Sequence, residues 1–174
     1  MGLASFGLCE TYREYRIMRQ LSKRTQYSLR ALYALARFYG QGPVLISRLS
    51  EEEAIPKKFL EQILLSLKSS GLVESKKGKG GGYNLVRPPD KITVADVIRL
   101  MEGPLAPLPC ASETRFRKCD ECVDIETCGT RIVMREVRDA ISHILDSTTL
   151  AMVCEKVDQA REAQDPPVGL TYEI

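Results

Sequence analysis

Apolar residues Tyr27, Leu29, Leu32, Leu35, Ala36 and Phe38 recur at three- and four-residue spacing, which predicts a first amphipathic helix. Ser22 is placed to cap it, and Gly40 to Pro43 to end it. A short extended stretch, Val44-Leu45-Ile46, leads to a second, short helix over residues 47–53. Pro56 is then expected as the first residue of a third helix, where its missing N–H would be unpaired anyway. In that helix Phe59, Leu60, Ile63, Leu64 and Leu67 share one face, leaving Lys57, Lys58, Glu61, Gln62, Ser66 and Lys68 around the other. Residues 72–75 and 83–86 read as two strands of a hairpin. The pattern predicts a mainly α fold with a small β-hairpin wing: a winged helix-turn-helix, followed by a long C-terminal helix.

The tip between the two strands sharpens this. It is Lys76-Lys77-Gly78-Lys79-Gly80-Gly81-Gly82, with Tyr83 opening the return strand. Glycine permits positive φ and close approach to a phosphate, and lysine neutralises it. A nucleotide P-loop needs Ser or Thr after its Lys, but Lys79 precedes Gly80; a dinucleotide fingerprint needs a helix after the glycines, where strand is expected. The net charge of +2 conceals an asymmetry in the same direction. Residues 19–99 carry 15 Lys and Arg against 7 Asp and Glu, and the rest of the chain 10 against 16. A basic N-terminal module is the footprint of a nucleic-acid binder. Candidate contacts to double-stranded DNA are Ser47, Lys57, Lys58, Glu61 and Gln62 on the helices, and Lys76, Lys77, Gly78, Lys79, Gly80, Gly81 and Tyr83 on the wing. In the major groove Lys58 would donate to guanine, Gln62 would pair with adenine and Glu61 would accept from a cytosine amino group.

Six cysteines form a different pattern. Four of them, Cys110, Cys119, Cys122 and Cys128, occupy one loop with spacing C-x8-C-x2-C-x5-C. A secreted disulfide scaffold would spread them through a smaller chain, so a metal or redox site is expected. Zinc prefers two close pairs, and only Cys119 and Cys122 form one, which favours an iron–sulfur cluster, either [4Fe-4S] or [2Fe-2S], with zinc or unligated thiols as alternatives. Cys154 stands apart as an expected buried structural thiol, and His143, the single histidine, as a surface residue.

Met18 to Arg87, with Tyr27, Leu29-Arg30-Ala31-Leu32, Phe59-Leu60-Glu61-Gln62-Ile63, Gly71-Leu72-Val73 and Gly80-Gly81-Gly82-Tyr83, resembles the Rrf-type bacterial transcription regulators, which include IscR, NsrR and the cluster-free CymR. The likeness continues through Ile92 to Ile98 and Glu102-Gly103-Pro104 into the cysteine loop. It implies a homodimer on an imperfect palindromic operator, with much of the dimer contact made by a helix over residues 131–145. Its stripe is Ile132, Val133, Val137, Ala140, Ile141, Ile144 and Leu145. It also implies that Pro56, Lys58 and Glu61 lie where the recognition helix meets bases and that Lys77 and the following glycines lie at the wing. Cluster-binding relatives take three loop cysteines and one outside ligand; the positions matching those outside ligands hold Arg131 and Gln26. Cys119 is therefore expected to complete a four-cysteine site, and the cluster to modulate DNA binding.

The expected organisation is an N-terminal extension (1–17), a DNA-binding domain (18–103), a cysteine-rich sensor loop (104–129), a dimerisation helix (130–154) and a weakly ordered tail (155–174). No apolar run approaches the roughly 18 residues of a membrane span, and residues 1–9 make a poor signal peptide, so a cytoplasmic protein is expected. No nucleophile–base pair or nucleotide motif points to an enzyme; a bare iron–sulfur electron carrier is the alternative from another class.

Overall fold

The computed structural model describes residues 21–164, so the expected extension, Cys9 and residues 165–174 lie outside the described residues. Six helices and one two-stranded antiparallel sheet follow in the order α1 (Lys23–Arg37), α2 (Ile46–Glu52), α3 (Lys57–Ser69), β1 (Val73–Lys76), β2 (Gly82–Leu85), α4 (Val94–Glu102), α5 (Gly129–Ser147) and α6 (Leu150–Gln164). Ser22 caps α1 as expected, its hydroxyl accepting from the Thr25 N–H at 3.2 Å. Pro56 sits one position earlier than expected, at the N-cap of α3, and its carbonyl accepts from the N–H groups of Phe59 and Leu60. Leu60, Ile63, Leu64 and Leu67 are at most 1% exposed. Each such side chain contributes about 1.5–3 kcal/mol by leaving water, so this one stripe anchors α3 while its other face stays free. Thr93 and Asp96 form a capping box that starts α4.

The hairpin is displaced by one residue from the expected strands. Val73 pairs with Leu85 and Lys76 with Gly82. The cause is Val44, whose N–H and C=O both bond Tyr83, at 3.0 and 2.9 Å, and so add a third short edge to β2.

Two helices of the helix-turn-helix end in the same motif with different residues. After α3 the N–H of Leu72 bonds the Leu67 carbonyl and that of Gly71 the Lys68 carbonyl, with Gly71 at φ 74°. After α2 the N–H of Ile55 bonds Ser50 and that of Ala54 bonds Glu51, with Ala54 at φ 46°. This is the Schellman arrangement, whose left-handed position favours glycine. Ala54 is the one non-glycine residue at positive φ among the described residues. Ala54→Gly is expected to raise stability by about 1 kcal/mol, which thermal denaturation would read as a rise of roughly 2–4 °C for a chain of this size.

The largest departure from expectation is at the C-terminal end. The weakly ordered tail was expected from residue 155, and the dimer helix up to 154; instead the chain breaks at Thr148 and α6 runs to Gln164. The Thr148 carbonyl accepts from the Val94 N–H and the Leu150 N–H donates to Ile92, both at 2.9 Å, around a Thr93–Thr149 bridge. Leu150 is fully buried and Val153 packs on the core, so two apolar anchors order a helix that is otherwise charged. Cys154 lies on this helix, half-buried rather than buried, its thiol 3.6 Å from the Tyr33 carbonyl of α1.

Candidate nucleic-acid interface and cysteine loop

The buried stripe of α3 leaves Lys57, Lys58, Glu61, Gln62 and Lys68 exposed, together with Leu65, which is 61% exposed. Lys68 Nζ donates to Ser75 Oγ on β1 at 2.6 Å, joining the free face of α3 to the wing. Ser66 is half-buried, donates to the Gln62 carbonyl and accepts from Arg24 Nη2 at 2.6 Å. Arg24, exposed at the start of α1, adds a cation beside α3 that the sequence pattern did not single out. Its position two residues after a helix cap was the available signal, but only the fold brings it next to Ser66. Ser47 is exposed on the first turn of α2. Arg30 fastens the turn between α2 and α3 to α1 by donating to the Glu53 carbonyl.

On the wing Lys76, Lys77, Gly78, Lys79 and Gly80 are exposed, and the Gly81 N–H donates to the Gly78 carbonyl at 2.9 Å to close the tip. Gly78 and Gly80 have φ of 95° and 77°, which explains their residue type. Gly81 and Tyr83 differ from the other expected contacts. Gly81 is buried, and a Cβ there would stand 2.3 Å from the Lys76 carbonyl oxygen; Tyr83 is half-buried and packs against the core. Both shape the wing from within.

The loop between α4 and α5 is pinned by two arginines of α5. Arg131 Nε donates to the Cys110 carbonyl at 3.0 Å and its Nη1 to the Ile125 carbonyl at 3.3 Å. Arg138 Nη1 donates to the Ala111 carbonyl at 2.6 Å. Cys110 is buried in a short 3-10 turn, Cys119 is exposed, and Cys122 and Cys128 are half-buried. Burial pushes the Cys110 thiol up, and its hydrogen bond with Cys119 and the nearby charges of Cys119 and Cys128 push it the same way. The Cys122 N–H bonds the Cys119 carbonyl at 3.2 Å, and Cys128 is the N-cap of α5. Asp124 accepts from the Thr127 hydroxyl and the Glu126 N–H, which hold its carboxyl below the usual range.

The donor set suits an iron–sulfur cluster in number and softness, and Cys110 has a hydrogen bond with Cys119 and lies near Cys128. Among the described residues, however, no three Cys, His, Asp or Glu side chains converge to hold a metal ion. Arg131 braces the loop backbone through the Cys110 carbonyl, and Gln26 donates to the Leu21 carbonyl. His143 is exposed.

The expected apolar stripe of α5 divides. Ile141 and Leu145 pack on the core, whereas Ile132, Val133, Val137 and Ile144 are 48, 50, 37 and 61% exposed. No helix among the described residues is long and apolar enough to cross a membrane.

Residues 21–156 match a family described as Rrf2, iron-dependent transcriptional regulator. A Rhodobacter capsulatus protein described as an rrf2-like helix-turn-helix transcriptional regulator is 36% identical over 133 residues, 75% of this chain and 89% of its own. The transcriptional regulator CymR of Bacillus subtilis is 33% identical over 144 residues, 83% of this chain and 96% of its own. Its solved structure, that of the global cysteine regulator, superposes with a TM-score of 0.68 at 31% identity, covering 80% of this chain and 98% of that one. The structure of T. potens IscR gives 0.64 at 33% identity, covering 88% and 96%.

Proposed function

The chain belongs to the Rrf2 family of transcriptional regulators, and from that premise we propose that it is a homodimeric operator-binding regulator whose DNA affinity is set by an iron–sulfur cluster held in the cysteine loop. The family is one of regulators, not enzymes. The observation that carries the DNA-binding half is the Lys68–Ser75 contact, which makes the polar face of α3 and the lysine wing one continuous surface. α3 enters the major groove with Lys58, Glu61 and Gln62 at base edges, and Lys76, Lys77 and Lys79 neutralise backbone phosphates. A second copy covers the exposed Ile132, Val133, Val137 and Ile144, which brings two recognition helices onto one palindrome.

Cys110, Cys122 and Cys128, with Cys119 in place of an outside ligand, would hold the cluster. When bound, it supplies an oxidant-sensitive centre. The chain's own contribution is mechanical: Arg131 and Arg138 grip the loop backbone at Cys110, Ala111 and Ile125, so a rearrangement of the thiols bears directly on α5 and on the spacing of the two α3 helices. A cluster-free reading, in which oxidation of the loop thiols is the signal, is favoured by the neighbouring thiols of Cys110 and Cys119 and by the similarity to CymR.

Anaerobic purification followed by iron, sulfide and zinc analysis separates these. Iron with acid-labile sulfide, lost in Cys119→Ser, is the expected result. Zinc without sulfide, or metal-free protein whose operator binding follows thiol oxidation, would overturn the cluster reading; a normal cluster spectrum in Cys119→Ser would remove that residue from the ligand set.

A further inference from the structure

We propose that the cavity between α4, the cysteine loop and α5 is a binding site for a small dicarboxylate, which takes the place now held by the Glu113 side chain. The cavity has a volume of about 290 Å³, just below the roughly 300–1,000 Å³ typical of small-molecule sites. Its charged lining is three arginines, Arg99, Arg115 and Arg138, against one carboxylate, Glu113, with the hydroxyls of Ser112 and Ser142 beside them.

Each arginine comes from a different element. Arg99 of α4 is held by two hydrogen bonds to Asp146, a residue outside the lining. Arg138 of α5 is 9% exposed at its side chain and is oriented by Asp139 and by the Ala111 carbonyl. These partners fix two guanidinium groups without filling the cavity. Arg115 comes from the loop and is exposed; its Nη1 lies beside Gly103, where an added Cβ would be 3.9 Å away. Among the described residues, no carboxylate lies at salt-bridge distance from its guanidinium.

Glu113 is the weak member. Its carboxylate reaches Arg138 Nη2 at 3.1 Å, yet its side chain is 73% exposed and rides on a loop. Only the carboxylate end of this pair is exposed, so water competes for Glu113 while Arg138 stays buried. Glu113 reaches only Arg138, which Asp139 also contacts, and leaves Arg115 without a salt bridge among the described residues. A ligand with two carboxylates satisfies both, and guanidinium forks match carboxylate geometry. Binding would free Glu113, three residues beyond Cys110, from α5. The site therefore couples a metabolite to the same loop through a contact that involves no thiol.

The test is calorimetric titration of the full chain with succinate, with succinamide as neutral control and inorganic phosphate as a second anion. Saturable succinate binding at millimolar concentration or tighter is expected, with no heat from succinamide and weaker binding of phosphate. Glu113→Gln, which removes the internal competitor, should bind succinate about tenfold more tightly, a difference of about 1.4 kcal/mol. Arg115→Gln should bind at least tenfold more weakly with an unchanged unfolding temperature, because the side chain is exposed. Failure of both the wild type and Glu113→Gln to bind succinate at millimolar concentration would overturn the proposal. So would phosphate binding as tightly as succinate. Neither outcome bears on operator binding, which is measured separately.

Discussion

Gly82→Ala is expected to abolish the wing and with it most of the operator affinity. A Cβ at this position would lie 2.4 Å from the carbonyl oxygen of Val44 and 2.6 Å from its carbonyl carbon, far inside contact distance. Both partners are backbone, so no side chain can rotate away. Relief requires separating β2 from Val44, which breaks the pair of hydrogen bonds between Val44 and Tyr83, or shifting β2 against β1, which disturbs the register from Lys76 to Val73. Overpacking and strain of this kind cost of the order of 3 kcal/mol, which corresponds to a fall in unfolding temperature of roughly 6–12 °C at this chain length. The helices should persist in circular dichroism, because the α3 stripe shares its core with α1, α4 and α6 as well as with Val73 and Leu85 of the hairpin. Operator affinity should fall by at least tenfold, since the lysines lose their fixed positions. An unfolding temperature within error of the wild type would show that the close approach of β2 to Val44 is not a constraint.

The second large effect separates charge from shape. The combined change Lys76→Ala, Lys77→Ala and Lys79→Ala removes three exposed cations while leaving every glycine of the tip in place. If each lysine neutralises one phosphate, the slope of log affinity against log salt falls by about 0.9 per contact, or about 2.7 for one protomer. At ~0.1 M salt the same relation predicts an affinity loss of roughly 500-fold per protomer. Thermal stability should be unchanged, and the affinities of variant and wild type should converge as salt rises toward molar concentration. A parallel loss at all salt concentrations would indicate base or shape contacts instead, and an unchanged slope would place the wing off the DNA.

Much of the DNA-binding half is legible in the sequence because local rules and the tertiary result agree there. Ser22 announces the start of α1, the spacing of Leu60, Ile63, Leu64 and Leu67 defines the inner face of α3, and the lysine–glycine tip can be little other than a turn. What escaped was decided by contacts distant in sequence. Val44 moves the hairpin by one residue, through a bridge that no property of the strands foretells. Ala54 adopts a glycine's conformation because Ser50 and Arg30 hold the turn around it: Ser50 accepts from the Ile55 N–H and donates to the Ile55 carbonyl, and Arg30 donates to the Glu53 carbonyl. α6 carries too few apolar residues to read as ordered, yet Leu150 and Val153 suffice once α1 and the Ile92 segment receive them. In the cysteine loop, spacing identifies the residue types but says nothing of depth. Cys110 is buried and Cys119 exposed because Arg131 and Arg138 draw the first end of the loop against α5 and leave its middle at the surface.

The bridge between Thr93 and Thr149 gives the DNA-binding half an unexpected boundary. Its last helix is supplied from beyond the cysteine loop and α5, so in chain order this unit is interrupted: residues 104–147 leave it after α4 and return beside the start of α4. The cysteine loop and α5 thus form an excursion whose exit and re-entry flank one short helix. A truncation after α5 would not trim an appendage; it would remove Leu150 from the core under α1 and unseat the module that touches DNA. The excursion bears on that module at both ends of α4 and along α5, whose Ile141 and Leu145 pack on the core, as a clamp acts on what it holds, rather than down a single connecting strand of chain.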